Sequence, residues 1–205
     1  QTLYMFSFEN CIYPGCDFYK ATGSEYCLHH AKDKKEIIDK SLEFFKSDDK
    51  DIIDYSLNGA IYSSLDVKNK RIIGSTFSFA TFENCSFENV TIINSFFDFS
   101  LFYNCHFKNS SIRYSIFSGS TFTLSSINGS TVIHDNFNGA NISESDFSEN
   151  DFYYSSFIMS KLIQIRMEDC NLKRTDFSSS MIQAISFKYS NPDEAQFRKK
   201  PEYTI

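Results

Sequence analysis

Cys11, Cys16, Cys27 and His30 are the residues whose types and spacing point most directly to chemistry. Written out, they read Cys-Ile-Tyr-Pro-Gly-Cys, ten further residues, then Cys-Leu-His-His. Three soft thiolates and an imidazole suit tetrahedral Zn²⁺ with every coordination position filled by protein. Pro14-Gly15 supplies the tight turn that brings the first two thiols onto one ion. His30 completes a Cys-x-x-His, with His29 as the alternative. A disulfide within the trio leaves one thiol over and fits poorly with a chain whose first residues carry no basic-then-apolar secretion signal. A saturated ion activates no water, so the zinc is expected to be structural. About thirty residues cannot otherwise bury enough core to fold. Contact with a partner is a second role open to the same module.

The elements that must hold this module are set by a periodicity further along. Every fifth residue from Ile72 to Phe187 is apolar, in a chain that is 41% hydrophobic. A period of five smears around a helix and alternates faces on a strand, so it forms a single apolar stripe on neither. All these residues face inward only if the chain bends once per repeat. The residues between them suit bending, as in Ser118-Gly119-Ser120, Asn128-Gly129-Ser130 and Asn138-Gly139-Ala140. The position two before each central residue is small at most repeats, which lets a coil wall close around the large centres. Hydroxyls buried in that wall need partners, most simply the backbone of a neighbouring coil. Asp135 occupies a wall site where Ser is usual, and the hydroxyls of Ser115 and Ser155 are its expected partners.

Stretches such as Ser75-Thr76-Phe77-Ser78-Phe79 and Ala140-Asn141-Ile142-Ser143-Glu144 resemble the pentapeptide-repeat family: small, polar, Phe or Leu, then two variable residues. The resemblance covers about residues 72–190 and implies an all-β fold, a right-handed quadrilateral β-helix with four pentads per coil. Sorting the centres into four columns supports this. One column reads Phe77, Phe97, Phe117, Phe137, Phe157, Phe177 and Phe197, like shapes that stack if coils lie about 4.8 Å apart. Cys85, Cys105 and Cys170 fall on the wall. Cys85 and Cys105 are vertical neighbours, read as small buried thiols of a reducing cytosol although a disulfide is geometrically open to them. The amino-terminal ligand spacing resembles small Cys₃His zinc knuckles over about 20 residues.

Four segments follow: a zinc-binding module at 1–32, a helical capping segment and hinge at 33–56, the β-solenoid at 57–199, and a tail at 200–205. Asp33 to Phe45 reads as an amphipathic helix capped by Asp33, with Ile37, Ile38, Leu42 and Phe45 at helical spacing. Ser47 to Asp54 is the expected hinge, and Leu57, Tyr62 and Val67 already keep the five-residue beat. A stack of coils exposes an edge and an apolar end, so this small, partly helical, zinc-stabilised cap is expected to close the amino-terminal end. Gln1 is not a natural start, so the expectation is either a true beginning at Met5 behind a remnant or a fragment of a longer protein.

No catalytic set emerges. His106 and His134 fall in different columns without a nucleophile beside either, the carboxylates are scattered, and no glycine loop cradles phosphate. The expected function is therefore a non-enzymatic scaffold for protein–protein contact. The candidate surface is one outward column, Ile93, Arg113, Ile133, Tyr153 and Lys173, and beside it Tyr114, His134, Tyr154 and Arg174. Exposed aromatics and arginine on a flat wall are what interface cores favour. A protein partner or a second copy is expected there, in the cytoplasm, with no membrane and no direct nucleic-acid binding. The net charge is −6 and no basic footprint is present. No apolar run approaches the roughly 18 residues that span a bilayer. The family resemblance implies an alternative, since some pentapeptide-repeat proteins imitate DNA, bind type II topoisomerase (gyrase) and confer quinolone protection. They dimerise through a carboxy-terminal extension. Residues 72–190 hold 11 acids and 7 bases, only mildly acidic for such imitation, and Arg198-Lys199-Lys200-Pro201 is short for a dimerising helix.

Overall fold

The computed structural model describes residues 6–199, so Met5 and the 200–205 tail lie outside it. The pentad beat becomes a parallel β-solenoid of about 7 turns. One face stacks Asp51–Ile53, Arg71–Ile73, Thr91–Ile93, Ser111–Arg113 and Thr131–Ile133. A second stacks Ile61–Ser63, Thr81–Glu83, Leu101–Tyr103 and Thr121–Thr123. A third stacks Asp66–Lys68, Ser86–Glu88, His106–Lys108 and Ser126–Asn128. The fourth face is held by single parallel bridges such as Thr76 with Phe96 and Phe96 with Ile116. Toward the carboxy end the second and third faces fuse in the longer strands Asn141–Asp146, Lys161–Arg166 and Met181–Ser186.

The central residues fill the axis. From Ile72 to Phe187 all are buried except Ile182, half-buried on the last strand, Met181–Ser186. The Phe77 column is a continuous pile of near-parallel rings, with successive centroids 5.3, 5.1, 5.0, 4.8, 5.2 and 5.1 Å apart up to Phe197. Each such pair adds about 0.5–1.5 kcal/mol beyond the area it buries.

Turning the corner requires a left-handed residue two places after most centres. Asn84, Asn104 and Gly119 take φ of 53°, 50° and 65° there, which Asn and Gly tolerate best. Gly119 is needed twice over, because the Phe99 ring lies 2.5 Å from where a Cβ would stand. Phe79, Phe99, Tyr114, His134, Tyr154 and Arg174 adopt the same conformation, with φ between 55° and 60°.

Wall hydroxyls find backbone partners, as expected. The Ser95 hydroxyl donates to Ile93 O at 3.0 Å and Ile72 O at 3.4 Å, and its oxygen accepts the Ser75 N–H at 3.2 Å. Ser125 repeats the pattern two faces on. The wall cysteines are free, and the Cys105 thiol donates to Phe82 O at 3.3 Å. Burial pushes the Cys170 thiol up to about 12, so it behaves as a small apolar filler.

The helix, α1 (Lys34–Lys46), covers the amino-terminal end of the coil. Phe45 is buried edge-on against Tyr62 at 5.6 Å, and the Ser41 and Tyr62 hydroxyls are hydrogen-bonded at 3.0 Å. Lys70, a wall residue where Ser is usual, is 4% exposed and anchors the other end of α1. Its ammonium donates to Phe44 O at 3.2 Å, to Ser47 O at 2.6 Å and to Asp49 O. A cation at a helix C-terminus with carbonyls for every proton is well placed for the dipole.

Three expectations change. Asp33 precedes α1, but its side chain makes no capping bond; its carbonyl accepts the Ile37 N–H at 3.1 Å. The segment read as a hinge contains Asp51–Ile53, which pairs with Arg71–Ile73, so the first coil starts ahead of residue 57. Ile52 is its buried centre, one beat before Leu57. The Asp135 carboxyl is not held by serine hydroxyls, although the Ser155 hydroxyl accepts the Asp135 backbone N–H at 3.0 Å. Its Oδ1 accepts the Ser115 backbone N–H at 2.7 Å, while the Ser115 hydroxyl donates to Arg113 O and the Ser155 hydroxyl to Val132 O.

Asp135 Oδ2 is buried without a partner. Burial holds this carboxyl well above its usual range, against the Ser115 hydrogen bond and the Arg113 charge, which favours the neutral acid. Asn150 shows what the wall wants: Oδ1 accepts Ser130 N–H at 2.9 Å and Nδ2 donates to Ile127 O at 2.5 Å and Phe147 O at 2.9 Å. A folded-state value raised above the unfolded one gives stability that is full below about pH 4 and falls as pH rises. Asp135→Asn should therefore match wild type in melting temperature near pH 4. Toward pH 7 it should exceed wild type, by a margin that widens as pH rises. Thermal melts across pH decide it, and a difference that does not grow with pH refutes the assignment.

Candidate functional site

The four candidate ligands converge. A short hairpin joins Cys11 N–H to Phe18 O at 2.8 Å, with Asn10 bridging Tyr19, and Gly15 turns it at φ 76°. A second turn closes Cys27 O onto the N–H groups of His30 at 3.0 Å and Ala31 at 2.9 Å. One ligand atom each from Cys11, Cys16, Cys27 and His30 then lies within 4.8 Å of the other three. His30 Nδ1 stands 3.4 Å from Cys27 Sγ and 3.7 Å from Cys11 Sγ, and Cys16 Sγ is 3.8 Å from Cys27 Sγ. These residues can hold a metal ion. His29 is exposed, its ring edge-on to His30 at 4.9 Å, so His30 is the histidine of the cluster.

Burial pushes the Cys11 thiol up, but hydrogen bonds from the backbone of Cys27 and Tyr13 and from His30 outweigh it and bring the group down to about 6. A thiolate is thus favoured at neutral pH. Tyr13 stacks on the His30 ring at 3.8 Å and 9°, fixing its plane, a contact the spacing did not signal. The module is fastened to the coil by a reciprocal pair: Thr22 N–H donates to Ser56 O and Ser56 N–H to Thr22 Oγ1, both at 2.8 Å. The Phe18 ring meets Phe79 edge-on at 6.4 Å.

The aromatic wall is an ordered stack. Tyr114 lies on His134 at 5.3 Å, His134 on Tyr154 at 5.0 Å, and the Arg174 guanidinium 4.9 Å over the Tyr154 ring. Tyr153 meets Tyr154 edge-on at 4.7 Å. Ile93, Arg113 and Ile133 are in register beside the stack. Lys173 stands 3.9 Å from Glu194, an exposed pair of little energetic weight. Tyr114 is 57% exposed, whereas Ile93, Ile133 and Tyr153 are half-buried. All four stacked residues sit in left-handed corners, a conformation that costs a non-glycine residue about 1–2 kcal/mol. The sequence reading missed a second exposed apolar group, Phe18, Ile61, Phe79, Phe99 and Leu101. Phe79 and Phe99 share the variable corner column, whose next members are Gly119 and Gly139. A column read for size would have shown it. Among the described residues no helix is long and apolar enough to cross a membrane.

The family model described as Pentapeptide repeats (8 copies) matches residues 136–169. No curated protein matches the chain significantly. Among solved structures, a trypsin-treated variant of the plasmid-mediated fluoroquinolone resistance protein QnrB1 is 13% identical, over 70% of this chain and 82% of that one, with a TM-score of 0.54. A pentapeptide repeat protein of the Arabidopsis thaliana thylakoid lumen is 23% identical over 47% of this chain and 64% of its own, with a TM-score of 0.35. One from the cyanobacterium Cyanothece is 5% identical over 73% and 90%, with a TM-score of 0.38. At 13% identity the QnrB1 likeness is one of fold alone. Residues 136–169 are pentapeptide repeats, and the coil that carries them is a pentapeptide-repeat β-solenoid.

Proposed function

We propose that this chain is a non-enzymatic scaffold that binds a protein partner, or a second copy, through the Tyr114–His134–Tyr154–Arg174 stack. The supporting observation is that bulky side chains occupy corners where Asn and Gly are better tolerated, and present aromatic edges and a guanidinium to solvent. Tyr and Arg are the anchors that interface cores favour. The flanking Ile93, Ile133, Tyr153, Arg113 and Lys173 give that core an apolar floor and a polar rim. The wall cysteines Cys85, Cys105 and Cys170 are free, which suits a reducing compartment, the cytoplasm. Replacing Tyr114, Tyr154 and Arg174 together with Asn, which tolerates these corners, should abolish association in affinity capture from the source cell while the coil still melts cooperatively. Retained association would sink this reading.

The metal is assigned as structural zinc held by Cys11, Cys16, Cys27 and His30. Zn–S near 2.3 Å and Zn–N near 2.0 Å make tetrahedral edges of about 3.8 Å between sulfurs and about 3.6 Å between sulfur and nitrogen. Three of the six spacings, 3.8, 3.4 and 3.7 Å, lie close to those edges, and none of the six exceeds 4.8 Å. Zinc filled on four sides supplies folding energy rather than a reactive water. Purified protein should carry about one equivalent of zinc, and Cys27→Ser should lose it while the coil keeps its β signature. Less than half an equivalent in wild type counts against zinc.

A second reading, imitation of DNA for a type II topoisomerase, is favoured by the fold likeness to a fluoroquinolone resistance protein. The mild charge of the repeat region and the cationic stack weigh against it. In a gyrase supercoiling assay the scaffold reading expects no effect of added protein; inhibition at low micromolar concentration reverses the order.

A further inference from the structure

A cavity of about 370 Å³ opens where the metal module, α1 and the first coils meet. Phe18 and Leu28 from the module, Ile38 from α1, and Ile61 and Phe79 from the coil make its walls. Sites at such junctions, mostly apolar with few polar groups, are where small ligands bind. Lys34 is its only lysine or arginine, and no carboxylate lines it, on a chain of net charge −6. Lys35 and Lys40 are paired with Asp39 and Glu36, whereas Lys34 has no ion pair among the described residues. At about 30 Å³ per water-sized volume the space holds on the order of a dozen heavy atoms. The lip continues outward over Phe79 and Phe99, stacked at 5.3 Å and 51% and 57% exposed, both in left-handed corners.

We propose that this cavity binds a free medium-chain carboxylate. Its aliphatic tail lies among Leu28, Ile38, Ile61 and Phe79, and its carboxylate lies on the Lys34 ammonium. The tail removes from water apolar surface the fold leaves exposed, and the head meets a cation with no other partner. Decanoate, with a dozen heavy atoms, fits the size. The site lies apart from the Tyr114 stack and does not rest on the partner reading.

The test is a titration of the whole chain with decanoate below its micelle concentration, followed by amide resonances and calorimetry. Saturable shifts at Leu28, Ile38 and Ile61 are expected. Decyltrimethylammonium, with the same tail and the opposite charge, should bind at least fivefold more weakly. Lys34→Ala should weaken decanoate about fivefold, and Ile61→Glu should abolish binding. Both residues are exposed, so neither variant should lower the melting temperature. Equal affinity for the two amphiphiles, no shift at these residues, or binding unchanged by Ile61→Glu overturns the proposal. So does an acetylated Glu-Phe-Glu peptide that saturates the same resonances at lower concentration than decanoate, which would hand the cavity to a protein segment.

Discussion

The parallel register of 20 residues per coil governs everything else in this molecule. It places each centre over its equivalent in the coil below, so one Phe per turn becomes a column of rings about 5 Å apart. It also multiplies any local choice. A residue tolerable once is stacked on its own kind, and a charge placed once has neighbours at the distance of a strand pair. The coil therefore favours short uncharged side chains on the wall and Asn or Gly at the corners, and each departure from that grammar carries information.

From Lys70 onward, Lys70 and Asp135 are the two wall residues whose side chains are charged in water at neutral pH, and they differ in kind. Lys70 brings three protons to three carbonyls at the end of α1, so its charge is fully compensated and the helix is tied down. The Asp135 carboxyl meets one donor and leaves one oxygen alone, so burial favours its neutral form. The contrast follows from what the neighbouring backbone offers. The first coil has a helix end beside it with spare acceptors, whereas Asp135 sits within the stack, where its neighbours' donors and acceptors are already matched.

Much of this was legible in the residues because it is periodic. The centres, the small wall, the Phe77 column and the amino-terminal helix all follow from spacing, and the Cys and His ligands converge as their spacing implied. What was not legible depends on which backbone atoms lie within reach. The partners of Asp135, the missing Asp33 cap and the early start at Asp51 are of that kind. Tyr13 on His30 escaped for a related reason, since a turn brings them together without any repeat to announce it. The Phe79–Phe99 pair was hidden because the corner position is variable in sequence and constrained only in φ.

Those corners decide how much meaning the exposed aromatics carry. A non-glycine residue there costs about 1–2 kcal/mol, and an aromatic stack returns about 0.5–1.5 kcal/mol. His134, with rings on both sides, comes close to balance within the fold. Tyr114 has one stacked neighbour, His134, and Phe79 and Phe99 share a single stack between them, with the Phe18 edge in addition at Phe79. Their balance stays unfavourable in isolation, and Asn, as at Asn84 and Asn104, suits the same corner at lower cost. The side chains at the ends of these ladders are thus the ones whose presence the fold explains least. They mark the two places, the stacked wall and the lip of the cavity beside the Cys₃His cluster, where the fold by itself leaves the balance unfavourable.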